Sequence, residues 1–235
     1  MSSKLAKTYF ETVGTHPVEK DTILGRQAMA YYYFLSRKFE DCLLYLSSVK
    51  QYLPEAGDFL WNYGVALAAV GRYAEAEEAL CAVRNPVLTA DPMYSMWLAR
   101  CHCMCRHPRA AWELYLKRSE SESSSSGAAA FTMLLRTIAV DCYATGQFFY
   151  SALAYDTLEK MDPGEGEVWA GKLGACAGVL QAVAAGSEGK ESLREVYSLL
   201  QVSMGSSAPG SLVYRQADSL MKAMQRWAQA QKESA

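Results

Sequence analysis

Five groups able to bind a metal or act as nucleophiles crowd into the seven-residue run CHCMCRH: Cys101, His102, Cys103, Cys105 and His107. Thiolates and imidazoles are zinc ligands, but a zinc shell needs them to converge tetrahedrally on one point. On a helix, Cys101 and Cys105 share a face while Cys103 points nearly opposite. No second Cys-x-x-Cys half-site stands elsewhere in the sequence to complete the shell. A packing role is therefore expected for these residues, with no metal and no cofactor. Other chemistry is equally thin. The histidines are His16, His102 and His107, and neither a Gly-x-Ser-x-Gly nucleophile elbow nor a glycine-rich phosphate loop is present. The chain reads as a non-enzyme; a metal or thiol enzyme built on Cys101, Cys103, Cys105 and His107 is the competing reading that metal analysis would test.

What must position any functional side chain is a set of helices. Apolar residues recur at three- and four-residue spacing, as in Leu43, Leu46 and Val49, and no stretch alternates at the period of a strand. With 235 residues, 51% of them apolar, the chain can bury a sizeable core. Its 23 basic and 25 acidic residues are interspersed, so no basic stripe marks a nucleic-acid or anionic-membrane surface. Leu173 to Ala185, interrupted by Gln181, is too short for a membrane span. The opening segment MSSKLAKTYFETVGTHP lacks the apolar core of a signal peptide. Seven cysteines, mostly inside apolar helical patterns, suit reduced thiols in an intracellular protein.

The helices repeat. Sliding SRKFEDCLLYLSSVKQYLP by 34 residues places Phe39 on Tyr73, Cys42 on Ala76, Leu46 on Leu80 and Val49 on Val83. Further copies put Ala111 and Ser151 at the small position and Gly146 and Phe148 at the turn. Thirty-four residues is the tetratricopeptide period. A small residue lets the second helix of each pair approach the first, the aromatic plugs the turn, and Pro54 or Pro163 stops the pair. Asp91-Pro92 reads as an N-cap with proline at the first helical position. The expected architecture is an all-α, right-handed α-solenoid of tetratricopeptide-type helix pairs with C-terminal capping helices. Residues 1–20 form a lead-in with a partial helix, 21–165 four repeats, and 166–235 a helical extension and cap. Ser119 to Ala130 is expected to be a flexible serine-rich loop, because such residues bury too little surface to offset ordering entropy.

In the extension, Gly171, Gly174 and Gly178 share a helix face, which predicts a close helix–helix contact. The last helix carries Val213, Ala217, Leu220, Met224 and Trp227 on one stripe, and Arg215, Asp218, Lys222 and Arg226 opposite, as a cap requires. The first helix of each repeat is expected to line a concave groove. Gln27, Tyr31, Phe34, Trp61, Met96, Arg100, Arg136 and Tyr143 are the candidate lining residues, a mixture suited to a partner's helix or extended peptide.

Several segments go beyond generic repeat statistics, above all WLARC…PRAAWELYLK and GQFFYSALAYDTLEKMDP. With DTILGRQAMAYYYFLSRKFEDCLLYLSS and VWAGKLGACAGVLQAVAAG, they make the chain resemble the C-terminal part of the intraflagellar transport protein 56 (tetratricopeptide repeat protein 26) family, over about residues 20 to 232. The resemblance implies a non-catalytic scaffold or adaptor subunit of intraflagellar transport complex B, supporting cilium assembly and carriage of motility-related cargo. It implies other complex B subunits as partners, notably intraflagellar transport protein 46, besides ciliary cargo proteins. It places the protein in the cilium or flagellum and basal body with a cytoplasmic pool. The alternative is a co-chaperone-like peptide receptor, which would need a basic carboxylate clamp that only Arg100 and Arg136 could supply.

Overall fold

The computed structural model describes residues 3–121 and 128–233. Among them are thirteen α-helices, one 3-10 turn and no strand. The chain is all-α and divides into two compact units, Met1–Cys105 and Arg106–Ala235. Each is built from helices that pack on their neighbours in chain order, in tetratricopeptide manner.

The first unit contains α1 (Ser3–Thr15), α2 (Ile23–Leu35), α3 (Phe39–Val49), a 3-10 turn at Lys50–Tyr52, α4 (Gly57–Ala69), α5 (Tyr73–Cys81), the single turn α6 (Pro86–Thr89) and α7 (Pro92–Met104). Here α1 packs on α2, α2 on α3, α3 on α4, α4 on α5 and α5 on α7. The second contains α8 (Pro108–Ser121), α9 (Ala128–Ala144), α10 (Phe148–Met161), α11 (Gly166–Ala184), α12 (Lys190–Ser206) and α13 (Leu212–Glu233), again packed in sequence. The serine-rich run is helical up to Ser121 and again from Ala128. The remainder of the expected loop, 122–127, lies outside the described residues.

Local chemistry explains the turns. Arg37, Gly71, Arg106 and Gly146 adopt left-handed backbone angles, with φ of 57°, 82°, 62° and 76°. Two residues after each of these, the next helix opens at Phe39, Tyr73, Pro108 or Phe148. At three of the turns a backbone N–H reaches back five residues, from Lys38 to Tyr33, Arg72 to Leu67 and Gln147 to Cys142. Such bonds satisfy carbonyls that a helix end leaves open. Asp91 caps α7 as expected, accepting from the Met93 N–H at 2.7 Å, with Pro92 at the first helical position.

The small positions are shut completely. Cys42, Ala76, Ala111 and Ser151 are all buried, and the Ser151 hydroxyl donates to the Ala139 carbonyl at 2.7 Å. In the second unit the glycine face of α11 meets aromatic rings. A methyl group on Gly171 would overlap the Tyr155 ring and one on Gly178 the Phe148 ring, whereas on Gly174 it would sit 3.4 Å from the Tyr143 hydroxyl. α13 buries Ala217, Met221 and Met224 in a core shared with Val179, Val196 and Leu200, with Val213, Leu220 and Trp227 packed at its margin.

Candidate protein-docking groove

Within the first unit, α2, α3, α4 and α7 enclose an open cavity of about 380 Å³. Tyr31 and Phe34, three apart on α2, form one wall, and Trp61 and Val65, four apart on α4, form the next. Met93 and Trp97 close it from α7, and Cys42 and Leu46 of α3 lie at its base. Aromatic edges hold these walls in place. Phe34 meets Phe39 at 5.4 Å between ring centroids, Trp61 meets Tyr94 at 6.0 Å, and Tyr31 meets Phe10 at 5.3 Å. The Arg100 guanidinium lies over the Trp97 ring at 5.8 Å.

Asn62 is the polar element of this lining, and its Nδ2 donates to the Tyr31 hydroxyl at 3.2 Å. Burial raises the Tyr31 phenol above its ordinary value, so at neutral pH it stays a neutral hydroxyl. Burial likewise pushes the Cys42 thiol up to about 11. The cavity is therefore uncharged, apolar on its walls and able to hydrogen-bond at one point. That combination suits an apolar side chain carried on a polypeptide backbone.

The structure brings together three of the expected lining residues, Tyr31, Phe34 and Trp61. Gln27, Met96 and Arg100 lie half-buried on the same helices without lining the cavity. Arg136 and Tyr143 belong to the second unit. There Arg136 Nη2 lies 2.6 Å from both carboxylate oxygens of Glu165, and Tyr143, though 45% exposed, rests its ring against Phe148 at 5.4 Å. Asn62, Val65, Met93 and Trp97 are lining residues that sequence reasoning passed over, while Cys42 and Leu46 were read only as packing positions of the repeat. For α7 a signal existed: the inward stripe Tyr94, Leu98 and Cys101 sets the rotation of the helix, and that rotation turns Met93 and Trp97 toward α4.

A family model described as intraflagellar transport protein 56 matches residues 2–234. The chain belongs to the intraflagellar transport protein 56 family. A relative, the intraflagellar transport protein 56 homolog of Caenorhabditis elegans, is 37% identical over 181 residues, which are 77% of this chain and 30% of that protein. The chain thus corresponds to less than a third of that relative's length.

In this intraflagellar transport protein 56 family chain, the cysteine-rich run begins on the last turn of α7, with Cys101 and Cys103 fully buried, and leaves the helix at Cys105. Burial pushes the Cys101 thiol up to about 12. Burial and a hydrogen bond to Glu77 raise Cys105 to about 11. Thiols held protonated in this way are poor nucleophiles at neutral pH. Among the described residues no helix is long and apolar enough to cross a membrane. The second unit holds a buried ionic cluster that the sequence did not suggest. Lys172 is fully buried, and its ammonium lies 2.6 Å from Asp156 Oδ1, 2.7 Å from Glu159 Oε2 and 2.6 Å from the Ser203 hydroxyl.

Proposed function

We propose that this chain is a non-catalytic scaffold or adaptor segment of intraflagellar transport complex B. In this reading it supports cilium assembly and the carriage of motility-related cargo by holding other proteins, in the cilium or flagellum and basal body with a cytoplasmic pool. Other complex B subunits, intraflagellar transport protein 46 among them, and ciliary cargo proteins are the proposed partners. Family membership supports the setting. The observation that carries the mechanism is the open aromatic cavity walled by Tyr31, Trp61 and Trp97 with Asn62 at its edge. Its walls stand on packed helices, so little side-chain or backbone entropy is lost when a partner's apolar side chain enters. The co-chaperone alternative is less well supported, because Arg136 is already engaged by Glu165.

Capture of partners from ciliated-cell extract with the purified chain tests this reading. The unmodified chain should recover complex B subunits, and Trp97→Ala, with unchanged helical circular dichroism, should recover them at about a tenth or less, as for an interface hot spot. Recovery of chaperones in place of transport subunits would overturn it.

A further inference from the structure

Two cations of the first unit face a second cavity, which shares no lining residue with the aromatic groove. Where α1 and α3 pack against α2, an open space of about 520 Å³ is lined by Lys20, Asp21, Arg26, Met29, Leu44 and Tyr45. Its apolar floor is the buried Met29 together with Leu44, which leaves 68% of its surface to solvent. Close contacts fix the frame. A methyl group on Gly14 of α1 would overlap the Met29 side chain, and one on Gly25 would overlap the Glu19 carbonyl. Between the helices, the Glu19 and Lys20 N–H groups donate to the His16 carbonyl at 3.0 and 2.9 Å, and the Thr22 N–H donates to the Glu19 carbonyl at 2.9 Å. The Tyr45 ring rests against Tyr33 at 5.5 Å between centroids. Lys20 and Arg26 therefore stand on backbone that is already ordered.

Neither cation is satisfied within the chain. Among the described residues the Lys20 ammonium has no hydrogen bond or ion pair, and the Arg26 guanidinium has only Asp21 Oδ1, at 3.8 Å and beyond hydrogen-bond length. The Asp21 side chain is 77% exposed, so that pair is weak and readily exchanged. The neighbouring Glu19 carboxylate accepts from the Thr22 hydroxyl at 3.3 Å and is not part of the lining. The cavity thus sets two positive charges and one negative beside an apolar floor. We propose that it docks an acidic–aliphatic peptide segment of a partner protein, with a Glu or Asp carboxylate between Lys20 and Arg26 and the adjoining aliphatic side chain on Met29 and Leu44. A carboxylate matches the forked donor edge of a guanidinium, and the aliphatic side chain takes the floor out of water. An anionic membrane fits less well, because such attachment draws on clusters of about four to eight cations, more than this site holds.

The test is a titration of the isotopically labelled full chain with the peptide acetyl-Leu-Glu-Leu-amide, followed by amide chemical shifts. Shifts at Gly14, Leu44 and Ser48 are expected, with a dissociation constant on the order of 1 mM. Replacing the peptide's glutamate by glutamine should weaken binding about tenfold, as should Arg26→Gln or Lys20→Gln in the chain. Asp21→Asn, which removes the competing anion, should tighten it about two- to fivefold, a gain that a merely structural role would not produce. Trp97→Ala, in the aromatic groove, should leave it unchanged, so the two sites are tested separately. Absence of shifts at about 5 mM peptide overturns the proposal, as does equal binding of the glutamine peptide. Shifts at the same residues on concentrating the chain alone would assign the face to a second copy. Co-sedimentation with phosphatidylserine vesicles that is lost in Lys20→Gln would assign it to lipid, and either result overturns the peptide assignment.

Discussion

The ammonium of Lys172 on α11 lies 2.6 Å from Asp156 Oδ1 on α10, with the lysine fully buried and the aspartate nearly so. Glu159 and the Ser203 hydroxyl of α12 complete its shell, so three helices meet at one charge. Removing the cation leaves the buried Asp156 and the half-buried Glu159 carboxylates each one partner short, which costs about 3–5 kcal/mol. Lys172→Met should lower stability by that amount in urea unfolding followed by circular dichroism. Adding Asp156→Leu should recover part of the loss, because it removes the more deeply buried of the two carboxylates that faced the ammonium.

The glycines of α11 should respond to alanine with opposite signs. Alanine is favoured in a helix interior by about 1 kcal/mol. At Gly178 that gain is overridden by overlap with the Phe148 ring, and Gly178→Ala should destabilise by about 1–3 kcal/mol. Gly174→Ala meets the Tyr143 hydroxyl at 3.4 Å, a contact tight enough to need only a small adjustment, and should be neutral or stabilising. Thermal melts of the two variants side by side would reveal the difference.

At the hairpin turns the cost is conformational alone. Gly71 and Gly146 have positive φ, and a side chain added to either meets no atom within 4 Å. Gly71→Ala should therefore cost about 1 kcal/mol with no change in the surrounding packing. Arg37, held at φ 57°, reverses the experiment, and Arg37→Gly should raise the melting temperature.

The buried thiols make stability pH-dependent on the alkaline side. Burial raises Cys42 from the ordinary value of 9.0 to about 11, and Cys101 and Cys176 to about 12. A folded-state value above the unfolded one means that the native chain binds the proton more tightly. The contribution is then fully present below pH 9.0 and fades as pH rises through 11 to 12. Urea midpoints should fall over that interval, and the fall should shrink in a Cys176→Ala variant. At pH 8 these thiols should also resist alkylation until the chain unfolds.

Much of the fold is legible in the sequence because its determinants are local. The repeat starts, the Asp91 cap, the turns at Gly71 and Gly146, and the small residues Cys42, Ala76, Ala111 and Ser151 follow from short-range spacing and sterics. The candidate groove was only partly legible. Tyr31, Phe34 and Trp61 were readable from their place in the repeat, whereas Met93 and Trp97 replace Met96 and Arg100 because α7 is rotated by the burial of Tyr94 and Leu98.

By itself, then, the sequence determined the helices, their pairing and the family to which the chain belongs. Only the tertiary structure decided that Lys172 is a buried cation, that Glu77 of α5 meets His102 of α7, and that Arg136 is engaged by Glu165. Each of these joins side chains on different helices. Helical periodicity fixes which residues share a face, but the neighbour that face meets depends on the rotation and approach of a second helix, which packing sets.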